Sequence, residues 1–352
     1  MLTDQTMKAD LIDSTMYPDE FEDYIDSKNI IKWKKLKATD QYVYDWVPEQ
    51  TPKVAVIYAV GGIRSGKSNP GPRGSSIMGD ETITKAIKSA REDDSIKSIV
   101  LRIDSGGGSV LASDLIWREM AITTDPESEN NKPVIVSMSD VAASGGYYIG
   151  CNADKIVADP TTVTGSIGVI WARINFSKLM NKIGINFDGI KRGKNADFAA
   201  GSHLLTDNER EKIFNVINAE YDNFKQKVLD GREPLSNMDE LDNMAQGKIW
   251  SGVDAKELGL VDELGGIHDA IDIAKSYAGI DENADIHIEE FPKVKKFSFS
   301  DIFNDSESIT LLDLNNLFPE ELAEQLEVLE LLPVIMDNEI QLLMPYKIIL
   351  NW

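Results

Sequence analysis

Val54-Ala-Val-Ile-Tyr-Ala-Val60, the run from Asp80 to Ala90 (DETITKAIKSA) and Ser98-Ile-Val-Leu-Arg-Ile103 set the architecture of this chain. The first is rich in β-branched residues and reads as a strand, and the last returns as a second strand. Between them Ile83, Ala86, Ile87 and Ala90 fall at i, i+3, i+4 and i+7, one face of a helix that Asp80 can cap. Strand, helix and strand make one βαβ unit, and the alternation continues downstream, which predicts an α/β layer fold. Val110 to Ile122 reads as helix, Pro133 to Met138 as strand, Gly145 to Cys151 as the start of a helix and Lys155 to Ala158 as strand. Thr206 with Glu209 forms a capping-box pattern before a long helix. Its apolar face is Ile213, Ile217, Tyr221, Phe224 and Val228, and Gly231 stops it.

This pattern occupies residues 53–279. Residues 1–52 are a polar, acidic arm with scattered aromatics and a Pro-containing joint from Val47 to Pro52. Residues 280–352 are an acidic, Leu-rich extension broken by Pro292, Pro319, Pro333 and Pro345, expected to pack on a partner or on the core. The whole chain has 352 residues, 42% hydrophobic and 27% charged, which is globular composition. Thirty-six basic against 59 acidic side chains give a formal charge of -23, so nucleic acid is not an expected partner. The single cysteine, Cys151, excludes an intrachain disulfide framework and reads as a small buried hydrophobe. His203, His268 and His287 are scattered without ligand spacing, so neither a metal nor a cofactor is expected. The start, Met1 to Asp13, lacks the apolar run of a signal peptide, and no stretch has the length and apolarity of a membrane span. The sequence therefore predicts a soluble chain.

Three motifs carry candidate chemistry. Gly61 to Ser68 (GGIRSGKS) fits a phosphate-binding loop, but Asn69-Pro70-Gly71-Pro72 follows where a helix would have to begin. A surface loop is the better reading. Asp104-Ser-Gly-Gly-Gly-Ser-Val110 lies where a strand turns into a helix, and reads either as a tight turn or as a backbone nest for an oxyanion. Val141-Ala-Ala-Ser-Gly-Gly-Tyr-Tyr148 places Ser144 between a strand and a helix. There it is either a helix-capping serine or a nucleophile whose following N–H joins an oxyanion hole. No histidine looks paired with it. A lysine with its pKa lowered by burial is the alternative base, so serine-lysine chemistry is the natural form of the nucleophile reading.

RIDSGGGSV, DVAASGGYYIG, NADKIVADPTTVTGSIGV and GKIWSGVDAKELGLVDELGG occur in an order and spacing that resemble the signal peptide peptidase A family over about residues 53–279. The resemblance implies a Clp protease/crotonase-like α/β fold of repeated ββα units, here with a helical N-terminal arm and an acidic C-terminal tail. It also implies a serine peptidase of membrane-associated oligomers in bacteria, working at the inner membrane on leftover signal peptides or other apolar peptides. Ser144 would be the nucleophile, the N–H groups of Gly108 and Gly145 the oxyanion hole, and Ser166 the residue that orients the base. In short family members the base is a lysine directly before an Asp, in a segment like Lys191-Arg-Gly-Lys-Asn-Ala-Asp197, and this chain has Ala196 there. Longer members carry two repeats, with the serine in the second and the lysine in the first, and this chain resembles their C-terminal repeat. Leu11-Ile-Asp13 followed by Asp19-Glu20-Phe21 parallels Leu260-Val-Asp262 followed by Asp269-Ala270-Ile271, as if residues 1–23 ended a missing first repeat. The lysine is then expected from another chain in a homo- or hetero-oligomer. Lys194 is the better local substitute, because Lys191 lies at an odd shift from the family position. The rival readings are a catalytically silent assembly subunit and a crotonase-like acyl-CoA enzyme.

Overall fold

The computed structural model describes residues 3–9, 11–17, 20, 24, 51–70, 76–173, 175–186, 188–193, 196–198, 203–235, 237–293 and 341–343. After a short helix α1 (Thr3–Lys8), β1 (Lys53–Val60) enters a main sheet, while β2 (Gly62–Arg64), β3 (Asn69–Pro70) and β4 (Ser76–Gly79) enter a second one. Helix α2 (Asp80–Glu92) closes this unit. The plan then repeats: β5 (Ile96–Ser105) in the main sheet, β6 (Gly107–Ser109) in the second, then α3 (Val110–Thr124). β7 (Val134–Ala143) runs into a one-turn helix α4 (Gly145–Tyr148), followed by β8 (Lys155–Ala158) and β9 (Val163–Gly165). The remainder is α5 (Ser177–Lys182), α6 (Asp207–Gly231), α7 (Met238–Met244), β10 (Ile249–Ser251), α8 (Gly252–Glu257), β11 (Glu263–Leu264), α9 (Ile267–Tyr277), β12 (His287–Phe291) and β13 (Gln341–Leu343). Each strand of the main sheet that is followed by a short strand of the second and then a helix is one ββα unit of a Clp protease/crotonase-like α/β fold.

The main sheet runs β10-β9-β7-β5-β1-β12, with β8 on β7 and β11 on β8, and only the β10–β9 pair is antiparallel. Its central strands are covered on both faces, which is why they read as uninterrupted apolar runs. Ala55, Ile57, Ile99 and Leu101 join Ile83, Ile87 and Ile116 of α2 and α3 in the larger core. Val54, Val56, Val100 and Ile135 face Ala270, Ile271 and Ala274 of α9. The predicted face of α2 is buried as expected, but Asp80 does not cap it. Its carboxylate instead accepts the Gly66 N–H at 2.6 Å, and Thr82 Oγ1 accepts the Ser68 N–H at 2.8 Å. Two amides of the phosphate-loop look-alike are thus spent on α2, and its residues Gly62–Arg64 contribute β2 to the second sheet.

Thr206 and Glu209 form the predicted capping box, and α6 ends at Gly231. Only the second half of its apolar face, Phe224 and Val228, is fully buried. Cys151 is buried with its thiol pushed up to about 12 by desolvation. Past Gly279, where the sequence pattern closes the α/β block, β12 pairs in parallel with β1, so the sheet continues to Phe291. The N-terminal arm touches this body through Tyr17, whose hydroxyl donates to Asp114 Oδ2 at 2.6 Å, and through Glu20, 3.0 Å from Arg118. Among the described residues, no helix is long and apolar enough to cross a membrane.

Candidate active site

The site is assembled by a change of partner along β7. Its first half, Ile135–Met138, pairs with β8, and its last residues, Val141–Ala143, pair with β9. Against β5 the register breaks between Ile103 and Ser105, leaving an irregular stretch near Ser139. Arg102 holds this stretch, its guanidinium donating to Ser137 Oγ (2.8 Å), Met138 O (3.0 Å) and Ser139 Oγ (2.9 Å). Thr162 Oγ1 donates to Ser139 O at 2.6 Å. The outcome is a parallel register in which Ala143 stands opposite Gly165, so Ser144 and Ser166 leave their strands side by side.

Ser144 lies at φ 53° and ψ -117°, a left-handed conformation that side-chain-bearing residues rarely adopt. It is held there from both sides: its N–H donates to Gly165 O at 2.8 Å, and its carbonyl accepts the Tyr148 N–H at 2.9 Å. Its side chain makes no capping hydrogen bond to α4, which removes the helix-cap reading. Ser166 is also left-handed, with φ 49°, and its N–H donates to Lys248 O at 2.7 Å. Both hydroxyls are buried, and among the described residues neither Ser144 Oγ nor Ser166 Oγ has a hydrogen-bond partner. Buried hydroxyls are normally satisfied, so two neighbouring orphans mark a place where a further polar group belongs.

The glycine loop comes up to this point from the second sheet. A Cβ placed on Gly145 would lie 3.1 Å from both Gly107 Cα and Gly108 N, and 2.8 Å from Ser113 Oγ. A Cβ on Gly108 would sit 2.0 Å from Ile63 O. Only glycine lets these backbones approach so closely. Ser105 Oγ accepts the Gly107 N–H at 3.1 Å and donates to Gly61 O at 2.7 Å, fixing the turn into β6. Gly108, Gly145, Ser144 and Ser166, four of the residues singled out in the sequence, therefore come together.

Among the described residues, no lysine amine joins them. Lys194 lies outside the described residues. Lys191 is exposed and its Nζ donates to both oxygens of Asp197, at 2.9 and 2.8 Å. Lys248 sits beside Ser166 through its backbone, but its Nζ turns to Asn243 O at 2.7 Å. The buried Lys227 is paired with Asp114 and lies 3.3 Å from the centre of the Trp117 ring. Desolvation lowers its pKa. Tyr148, one turn beyond Ser144, donates its hydroxyl to the same Asp114 at 2.6 Å. Sequence reading missed this cluster and the Arg102 brace, since their members are far apart in the chain. The three histidines have no ligand spacing among themselves, and the fold brings His203 to Asp197 and Glu209, with ligand atoms within 4.8 Å of one another. There Lys191 neutralises Asp197 and Thr206 holds Glu209, so the group reads as a charge-compensated loop anchor.

Residues 127–281 match the model of peptidase family S49. The chloroplastic serine protease SPPA of Arabidopsis thaliana is 39% identical over 296 residues, which are 81% of this chain and 42% of that protein. Protease 4 of Haemophilus influenzae is 35% identical over 273 residues, 77% of this chain and 40% of that protein. A Synechocystis sp. protein with a provisional protease description is 33% identical over 242 residues, 68% of this chain and 80% of that protein. The chain spans less than half the length of the first two.

Proposed function

The chain belongs to peptidase family S49, and from that premise we propose that it is the serine-bearing half of an endopeptidase whose general base is a lysine supplied by another chain or repeat. The observation that carries this reading is the pair of buried, unpartnered hydroxyls, Ser144 Oγ and Ser166 Oγ, beside the backbone of Gly108 and Gly145. A neutral lysine amine entering this place accepts the Ser144 proton as Oγ attacks a peptide carbonyl carbon. Ser166 Oγ is placed to orient that amine. The carbonyl oxygen becomes an oxyanion facing the Gly108 and Gly145 N–H groups. Collapse of the tetrahedral intermediate breaks the C–N bond, and the lysine returns the proton to the departing amine. Water, deprotonated by the same lysine, then hydrolyses the Ser144 ester.

A partner also accounts for the outer surface. Leu179, Ile183, Ile185, Leu204 and Phe214, on or near α5 and the first half of α6, are exposed. Apolar side chains left in water on two successive helices are what an interface would cover. The substrates consistent with the resemblance are extended apolar peptides, cleaved signal peptides among them, at a bacterial inner membrane. Mixing the chain with a first-repeat chain that carries the lysine is expected to give peptidase activity that Ser144→Ala abolishes. A stable mixed complex without peptidase activity would favour a silent assembly subunit.

A further inference from the structure

Helix α4 is a single turn, Gly145–Tyr148, too short to hold its own direction. Its direction matters because it starts at Ser144 and its first residue, Gly145, supplies an oxyanion N–H in the peptidase reading. The turn is fixed to three neighbours. A Cβ on Gly146 would lie 2.4 Å from Ser105 O, so the backbone rests directly on the end of β5. Tyr147 donates its hydroxyl to Leu260 O at 2.9 Å. Tyr148 donates its own to Asp114 Oδ1 of α3 at 2.6 Å, and its ring centre lies 4.8 Å from that of Phe224 on α6.

The Asp114 anchor is completed from the N-terminal arm. Lys227 shares Oδ1 with Tyr148, and the second oxygen, Oδ2, accepts the Tyr17 hydroxyl at 2.6 Å. The Tyr17 oxygen in turn accepts from Lys227 Nζ at 3.3 Å, so this phenol bridges both charges. Burial first, and Asp114 next, push both phenols up, so both stay protonated and donate. The arm has a separate outer seat. The Tyr17 ring centre lies 4.8 Å from the Arg118 guanidinium carbon, the Tyr17 N–H donates to Glu20 Oε2 at 2.8 Å, and Glu20 Oε1 pairs with Arg118 at 3.0 Å. A simple clasp needs only that seat. The hydroxyl reaches further in and gives the carboxylate its last donor, in a network whose members hold one another in place.

We infer that Tyr17 is a positioning residue for the Ser144 site: by completing the contacts of Asp114 it fixes Tyr148, and with it the turn that presents the Gly145 N–H. This inference rests on the peptidase reading of that site. Docking of the arm and stabilisation of the oxyanion are then coupled through two hydrogen bonds to one carboxylate, from Tyr17 and from Tyr148.

Tyr17→Phe is the test, because it keeps the ring beside Arg118 and removes only the hydroxyl. In the full chain, hydrogen exchange of residues 145–150 is expected to be about tenfold faster in Tyr17→Phe, the worth of one hydrogen bond to a charged group, while exchange in β5 changes less than about threefold. In Tyr148→Phe the path is already cut, and adding Tyr17→Phe is expected to alter α4 exchange less than about twofold. With the lysine-bearing partner present, Tyr17→Phe is expected to lower kcat about tenfold and to leave KM within about twofold, because the oxyanion exists only beyond the ground state. Unchanged α4 exchange in Tyr17→Phe, an equal change in α4 and β5, or the same change with and without Tyr148→Phe overturns the inference. The two readings fail differently. If Ser144 is not a nucleophile, the exchange cycle still responds while Ser144-dependent probe labelling is absent. If Tyr17 does not position α4, labelling is present and equal in Tyr17→Phe and the unaltered chain, and exchange does not respond.

Discussion

Ser144 and Ser166 are each held in a backbone conformation that favours glycine, with buried hydroxyls and no partners. An unsatisfied buried hydroxyl costs about 1–3 kcal/mol. Ser144→Ala and Ser166→Ala are therefore expected to leave the isolated chain as stable as before or up to about 1 kcal/mol more stable, while abolishing or weakening activity in the assembled enzyme. Urea unfolding beside a peptidase assay checks this, and a clear loss of stability would mean that the hydroxyls are already satisfied. Gly145→Ala acts in the opposite way. Its Cβ would press on Gly108 N at 3.1 Å and on Ser113 Oγ at 2.8 Å, so the oxyanion backbone must part. A loss of one donor predicts a fall of roughly 100- to 1,000-fold in turnover, measured on the reconstituted enzyme.

At the scale of elements, the decisive feature is the transfer of β7 from β8 to β9, which brings Ser144 beside Ser166. Arg102→Met keeps most of the side-chain volume and deletes three donated hydrogen bonds. It is expected to destabilise by about 2 kcal/mol and to slow the reaction of Ser144, read by urea unfolding and probe labelling. At the far edge, β12 is pinned by Glu289, whose carboxylate is held below its ordinary value by Lys293 and then by Lys53. A depressed carboxylate stabilises the fold fully above its unfolded value, and that contribution fades as pH falls through the lower folded value. Protection of the β12 amides, taken relative to the intrinsic exchange rate at each pH, is thus expected to fall below about pH 4, and Glu289→Gln to leave it low and independent of pH there.

The regular elements were legible for a physical reason. β1, β5 and β8 are near-continuous apolar runs, α2 buries a periodic face and α6 carries a capping box, and each of these leaves marks in consecutive residues. The second sheet left none. β2, β4 and β6 are three or four residues long and glycine-rich, and their pairing depends on backbone approach, not on alternating side chains. Register was equally hidden, since nothing local in β7 says that it changes partner after Met138. The meeting of Ser144 with Ser166 was available only through the family resemblance, and the Arg102 brace and the Asp114–Tyr148–Lys227 cluster through neither route.

Over the whole molecule, two facts converge: buried Ser144 and Ser166 hydroxyls with no partner among the described residues, and exposed apolar side chains around α5 and α6. Leu179→Asp with Phe214→Asp is expected to keep the fold and prevent assembly, with light scattering as the measurement, because both positions are exposed. The central claim is that Ser144 is a nucleophile activated from outside this chain. A fluorophosphonate probe tests it across about pH 7–10, where a lowered lysine pKa would titrate. It is applied to the folded chain alone, to the chain mixed with a lysine-bearing first-repeat partner, and to both with Ser144→Ala. The account predicts labelling in the mixture alone, rising as the lysine loses its proton and absent in Ser144→Ala. Equal labelling of the chain alone, or none in a mixture shown to assemble, would contradict it.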